Sequence, residues 1–217
     1  MLQNLLHFWK ETANKGLRFH PDDFPVIKRY ELNLPDRRIP EPWFGIPSAA
    51  KVFYLTLNPG HKPKDKSTQE SWQRFCRDMM LERITYERYL KEAPPEAINW
   101  FRRNHGGFAD YTFPNICNLR LIAYPSPDKS HLGFIGQNPQ LLPSSKLMLK
   151  FVHSELLPKA KSGKILLLVM RSPTSWGFEK TDKDYWDGGF FMSRPLRASF
   201  ISPNSRVGLK IKEFLGI

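Results

Sequence analysis

The chain has 217 residues, 41% of them hydrophobic and 13% aromatic, including 6 Trp and 16 Phe, which supplies one packed core and excludes a disordered chain. Lys and Arg number 33 against 21 Asp and Glu, a formal net charge of +12; a surface that neutralises phosphates has this balance, and anionic membranes or plain solubility would also account for it. Cys76 and Cys117 are the only cysteines and neither has a Cys or His at metal-ligand spacing, so a structural zinc site or iron–sulfur cluster is not expected and buried thiols in a reducing compartment are; the chain is read without a metal or other cofactor.

Residues 2–14 place Leu2, Leu5, Leu6 and Trp9 at helical spacing before Gly16, which predicts an amphipathic opening helix. The same stretch lacks the charged start and cleavage pattern of a signal peptide, and no apolar run reaches the roughly 18 residues that span a bilayer. A cytoplasmic, soluble chain without membrane contact is expected, taken as a monomer. Between residues 21 and 47, Pro21, Pro25, Pro35, Pro40, Pro42 and Pro47 exclude helix interiors and predict an extended arm, anchored by Phe24, Tyr30, Trp43 and Phe44. Residues 1–49 are therefore read as a helix plus arm, and residues 50–217 as the α/β domain.

That domain opens with KVFYLTLNPG, an apolar run that reads as a buried strand ending in the turn Asn58-Pro59-Gly60. His61, Lys62, Lys64 and Lys66 follow in a basic loop. The next helix carries Trp72, Phe75, Cys76 and Met79 on one face. Three more apolar runs, residues 116–123, 164–170 and 198–201, each precede a polar, proline-bearing loop: Tyr124-Pro125-Ser126, Arg171-Ser172-Pro173 and Ser202-Pro203-Asn204. Between the second and third runs, residues 144–157 form a helix with Leu147, Phe151, Val152 and Leu156 inward. Ser205 can cap a final helix that carries Val207, Ile211, Phe214 and Leu215. Residues 176–197, with Asp182, Asp184, Asp187 and Gly188-Gly189, have no clear period and read as an insertion or hairpin at the rim. The predicted fold is α/β, a three-layer α/β/α sandwich around a central, mainly parallel four-stranded sheet. Ligands of such sheets bind outside the carboxyl ends of the strands, where the proline-bearing loops would converge.

Leu57-Asn58-Pro59-Gly60 resembles the first signature of the uracil-DNA glycosylase superfamily, in the branches that recognise mismatched uracil or thymine and carry Asn-Pro-Gly where the uracil-specific branch carries Asp-Pro-Tyr. As a turn sequence, Asn-Pro-Gly also occurs without any catalytic role. At the far end of the chain, Ser202-Pro203-Asn204-Ser205-Arg206 is similar to the superfamily's second signature, a loop between strand and helix that presses on DNA and the extruded base. Ile201 precedes Ser202, and the His of the uracil-specific branch is missing there. Tyr124-Pro125-Ser126 and Leu142-Pro143-Ser144-Ser145 resemble segments of other members. The likeness covers roughly residues 50–217 in element order and implies a uracil-DNA glycosylase-like fold, DNA as the partner and base excision as the activity.

A glycosylase takes a base out of the stack, holds it in a pocket and breaks a C–N bond through a sugar with oxocarbenium character. The resemblance implies that Asn58 orients the attacking water. An amide is no general base near neutral pH, so slower chemistry than with Asp is expected. Asn204, Ser202 and nearby backbone N–H groups are the donors expected to stabilise the departing base. Leu57, Pro59, Gly60, Tyr124, Ser126, Arg171 and Ser205 would line the base site, Gly60 because it has no Cβ to obstruct approach. Arg206 would reach a phosphate or fill the gap left by the base, or stand solvated; His61 would contact phosphate or be exposed. Trp100-Phe101-Arg102-Arg103 fits either a nucleic-acid surface or a helix end with its rings in the core. Asp182, Asp184 and Asp187 lie in one irregular stretch without a carboxylate at a strand end, so a metal-dependent nuclease is disfavoured against a solvated loop. The rival to a monofunctional glycosylase is a non-catalytic nucleic-acid-binding protein on the same fold.

Overall fold

The computed structural model describes residues 1–32, 34, 38–60, 66–93, 95, 98–99, 115–126, 129–193 and 201–217. Its strands are β1 (Trp43–Phe44), β2 (Val52–Thr56), β3 (Ile116–Arg120), β4 (Leu166–Val169), β5 (Tyr185–Asp187) and β6 (Phe190–Met192). They form one six-stranded mixed sheet in the order β1-β3-β2-β4-β6-β5. The inner strands β3, β2, β4 and β6 run parallel, with β1 antiparallel on β3 and β5 antiparallel on β6. Val52, at the head of β2, lies between Ile116 and Leu166. The apolar runs of β2, β3 and β4 are buried almost throughout, as strands in the interior of a parallel sheet must be.

The sheet corrects the expected strand count of four. Trp43 and Phe44, read as anchors of an extended arm, add the β1 edge opposite Leu119 and Asn118. The strand predicted at residues 198–201 is not among those described: residues 198–200 lie outside the described residues, and Ile201 is in no strand. The fourth parallel strand is β6, inside the stretch without clear period. There the two-residue turn Gly188-Gly189 joins β5 to β6, with Asp187 opposite Phe190. Gly188 has φ 60, and a Cβ on it would lie 2.2 Å from the Lys161 carbonyl oxygen; one on Gly189 would lie 2.0 Å from that of Ile165. Only glycine lets this turn press so closely on the segment leading into β4.

The helices are α1 (Leu2–Lys15), α2 (Phe24–Arg29), α3 (Lys66–Met80), α4 (Tyr86–Glu92), α5 (Gly133–Gln137), α6 (Pro143–Phe151), α7 (Leu157–Lys161) and α8 (Arg206–Leu215). Leu5 and Trp9 of α1 are buried in the same core as the sheet, and Gly16 ends the helix in the left-handed conformation. Helix α2 departs from the extended arm predicted there, since its proline, Pro25, sits in the first turn, where the missing N–H would have no helical partner. Phe24 is not an anchor: it is 49% exposed. Helix α3 buries Phe75, Cys76 and Met79 as its spacing predicts, and Met80 with them. Burial pushes both thiols, Cys76 and Cys117, well up from their usual range. Helix α6 continues into α7 through a π turn at Val152–Leu156, just before Pro158, which has no N–H to extend the ladder. Among the described residues no helix is long and apolar enough to cross a membrane.

Candidate functional site

Strand β2 has β3 on one side and β4 on the other, so the chain leaves it in one direction and later returns past it in the other. The carboxyl end of β2 is therefore the topological switch point, where open parallel sheets form their ligand crevice. Leu57, Asn58, Pro59 and Gly60 emerge at this point.

Their backbone is knitted to the segment after β3. The carbonyl of Leu57 accepts from Ile122 N at 2.7 Å, that of Pro59 accepts from Ser126 N at 3.2 Å, and Gly60 forms a parallel bridge with Ser126. The Asn58 side chain closes the arrangement. Its Nδ2 donates to Ser126 Oγ at 2.8 Å and to the Pro59 carbonyl at 3.0 Å. A carbonyl can only accept, so the contact with Pro59 fixes which end of the amide carries nitrogen. Both amide hydrogens are used, and Oδ1 has no donor among the described residues. Asn58 is half-buried and Ser126 fully buried, so the amide is held from within. No described atom lies within 4 Å of where a Cβ on Gly60 would stand.

A buried ion network sits behind the loop. Glu41 and Arg120 are each 2% exposed. Arg120 Nη1 donates to Glu41 Oε2 at 2.5 Å, and Arg38 Nη1 and Trp72 Nε1 reach Glu41 Oε1 at 3.4 and 2.7 Å. Through its other nitrogen Arg38 donates to the Gly60 carbonyl at 3.5 Å. The proline-rich stretch thereby links the sheet interior to the loop after β2. Sequence reasoning missed Arg38, Glu41 and Arg120; the available signal was a charged Arg120 inside an apolar strand, which demands a buried partner.

Tyr124 is placed differently from the expectation that it lines the site. It is buried, and its hydroxyl donates to Asp23 Oδ2 at 2.7 Å and accepts from His20 N at 3.2 Å. The other oxygen of Asp23 accepts from Ser144 N at 3.0 Å, so this carboxylate holds the first turn of α6. Desolvation raises the Asp23 carboxyl above its usual range, and burial followed by the neighbouring Asp23 charge pushes the Tyr124 hydroxyl well up. Tyr124 is a structural tie between the N-terminal segment, β3 and α6.

The second loop is built separately. Ser205 caps α8, accepting from Gly208 N at 3.1 Å and donating to the Ser202 carbonyl at 2.7 Å. Asn204 N donates to Ser202 Oγ at 3.4 Å. Ser202, Asn204 and Arg206 are exposed, as is Arg171 beyond the end of β4. The structure thus brings Leu57, Asn58, Pro59, Gly60 and Ser126 together, and the hydrogen bonds of Asn204 and Ser205 stay within their own turn. His61 and the segment Trp100-Phe101-Arg102-Arg103 lie outside the described residues.

Among the described residues no three His, Cys, Asp or Glu side chains are grouped to hold a metal ion. Asp187 is paired with Lys161 at 2.9 Å. Comparison with models of known protein families, with curated proteins and with solved structures finds no match.

Proposed function

We propose that the chain is a DNA-binding protein of the uracil-DNA glycosylase kind, a three-layer α/β/α domain that hydrolyses the N-glycosidic bond of a damaged or mismatched, uracil-type base. The observation that carries this reading is the Asn58 amide at the switch point, with both hydrogens committed to Ser126 and Pro59 and no donor to Oδ1 among the described residues. A positioned water adds to the sugar carbon as the C–N bond breaks, and the base leaves as an anion. Asn58 orients that water without taking its proton, which passes to solvent, so the reaction is slower than with a carboxylate. Among the described residues nothing outside its chain neighbours lies within 4 Å of where a Cβ on Gly60 would stand, which favours close approach of a nucleotide to the backbone. The net charge of +12 supplies the attraction for phosphate.

One observation favours a second reading, a non-catalytic nucleic-acid-binding protein. The described partners of Asn58 are a serine and a backbone carbonyl, neither of them a base. Metal-free release of bases from labelled single-stranded and duplex DNA containing uracil, thymine mismatches or hypoxanthine separates the two. Base release that vanishes in Asn58→Ala supports the glycosylase. Salt-sensitive binding with every base intact supports the binder.

A further inference from the structure

Two exposed phenylalanines flank α2. Phe24, at its start, is 49% exposed, and Phe134, on α5, is 52% exposed. Each lies nearly parallel to a partner ring: Phe24 on Phe19 with centroids 5.9 Å apart and 26° between planes, Phe134 on Tyr30 at 5.3 Å and 24°. Each inner ring carries a guanidinium. Arg18 Cζ is 4.7 Å from the Phe19 centroid and Arg29 Cζ is 5.7 Å from that of Tyr30. The order of cation, inner ring and open ring is therefore repeated at the two ends of one short helix. Arg18 is further fixed by donating to the Leu34 carbonyl at 2.5 Å.

We propose that the face along α2 is a track for single-stranded nucleic acid, with bases stacked on Phe24 and Phe134 and phosphates held by Arg18, Lys28 and Arg29. The proposal rests on nucleic acid being the partner and adds where the strand runs. Stacking on aromatic rings beside cations is how single strands are held without regard to sequence. Helix α2 separates Phe24 from Tyr30, its C-cap residue, by about 9 Å of rise along its axis, a length that a few nucleotides cover. Lys28 and Arg29 are exposed between them, and neither is paired with a carboxylate among the described residues. Charges interrupting the open rings suit alternating base and phosphate. Burial in a lipid interface needs a continuous apolar face instead. Asp22 and Glu31 are exposed on the same stretch, which confines phosphate contact to the three cations. Phe19 also meets the buried Tyr124 ring edge-on at 5.6 Å, so the inner ring is packed on the segment whose Ser126 holds Asn58.

Fluorescence anisotropy of a labelled oligothymidylate, read across salt concentrations with the full chain, tests the track. Paired replacement Phe24→Ala with Phe134→Ala is expected to weaken binding about tenfold or more. Lys28→Ala with Arg29→Ala removes exposed side chains and is expected to flatten the slope of log affinity against log salt by about 1.4. If the ring variant melts early, the charge variant decides. Wild-type binding that both variants retain in full overturns the track and leaves the glycosylase reading standing, to be judged by base release alone. A wild-type chain that binds no single strand at low salt overturns the track and leaves the glycosylase reading to base release from duplex DNA, and binding to phosphatidylserine vesicles in its place assigns the face to a membrane.

Discussion

The loop after β2 and the loop before α8, the two segments on which the proposed glycosylase reading draws, are constructed in opposite ways. The first is joined to the β3 side of the sheet by backbone hydrogen bonds, with a side-chain amide clamped at both hydrogens and a buried Glu41 network behind it. The second spends Ser205 on capping its own helix and keeps its remaining polar groups in solvent. A Cβ on Gly208 would lie 2.2 Å from the Ser202 carbonyl oxygen, so this loop is folded onto the start of α8. The contrast teaches that a polar, proline-bearing loop after an apolar run can be a rigid part of the sheet's ligand edge or simply the entrance to a helix. Sequence similarity alone does not separate the two; the partners of the amide and hydroxyl groups do.

Substitutions sharpen this contrast, beginning with the largest effect. Glu41→Ala leaves Arg120 and Arg38 without their buried carboxylate and is expected to cost about 3–5 kcal/mol in urea unfolding, whereas Arg206→Ala on the exposed loop is expected to cost under about 0.5 kcal/mol. Ser205→Ala removes an N-cap and is expected to cost about 1 kcal/mol, with base release in Ser205→Ala close to wild type if that loop is mainly a helix entrance. Gly60→Ala meets no neighbour within 4 Å among the described residues and has no positive φ to lose, so its melting temperature is expected to stay put while base release falls. An unchanged release rate in Gly60→Ala would remove the case for close substrate approach there.

Titration of Asp23 gives the smallest effect. Desolvation raises its carboxyl in the folded chain, so the folded state holds this proton to higher pH than the unfolded state does. The stability it contributes is complete below the ordinary carboxylate value of about 3.9 and is lost as pH rises through the raised value. Asp23→Asn is expected to remove that fall from the pH profile of thermal melting, since Asn can still accept from Ser144 N. A profile identical in the two chains would contradict a raised Asp23.

The apolar runs at β2, β3 and β4 were legible because strands buried on both faces leave continuous hydrophobic stretches. The Ser205 cap was legible for a local reason, a hydroxyl next to an apolar helical pattern. Strand β6 was hidden because three residues give no period. Gly188-Gly189 was nonetheless a two-residue hairpin signal. Pro25 obscured α2, since a proline in the first turn of a helix looks like any other proline in an arm. At the site, Asn58, Gly60 and Ser126 could be picked out from the turn chemistry and the position after a strand. The roles of Arg38, Glu41 and Tyr124 depend on contacts between segments far apart in the chain, and no local pattern encodes those.

Whether the Asn58 amide holds a reactive water is decided by single-turnover base release without metal by wild type, Asn58→Ala and Asn58→Asp on one uracil-containing oligonucleotide. Release reduced about a hundredfold or more in Asn58→Ala, with Asn58→Asp faster than wild type because a carboxylate can also take the water's proton, is the expected result. Equal release by all three chains would contradict it.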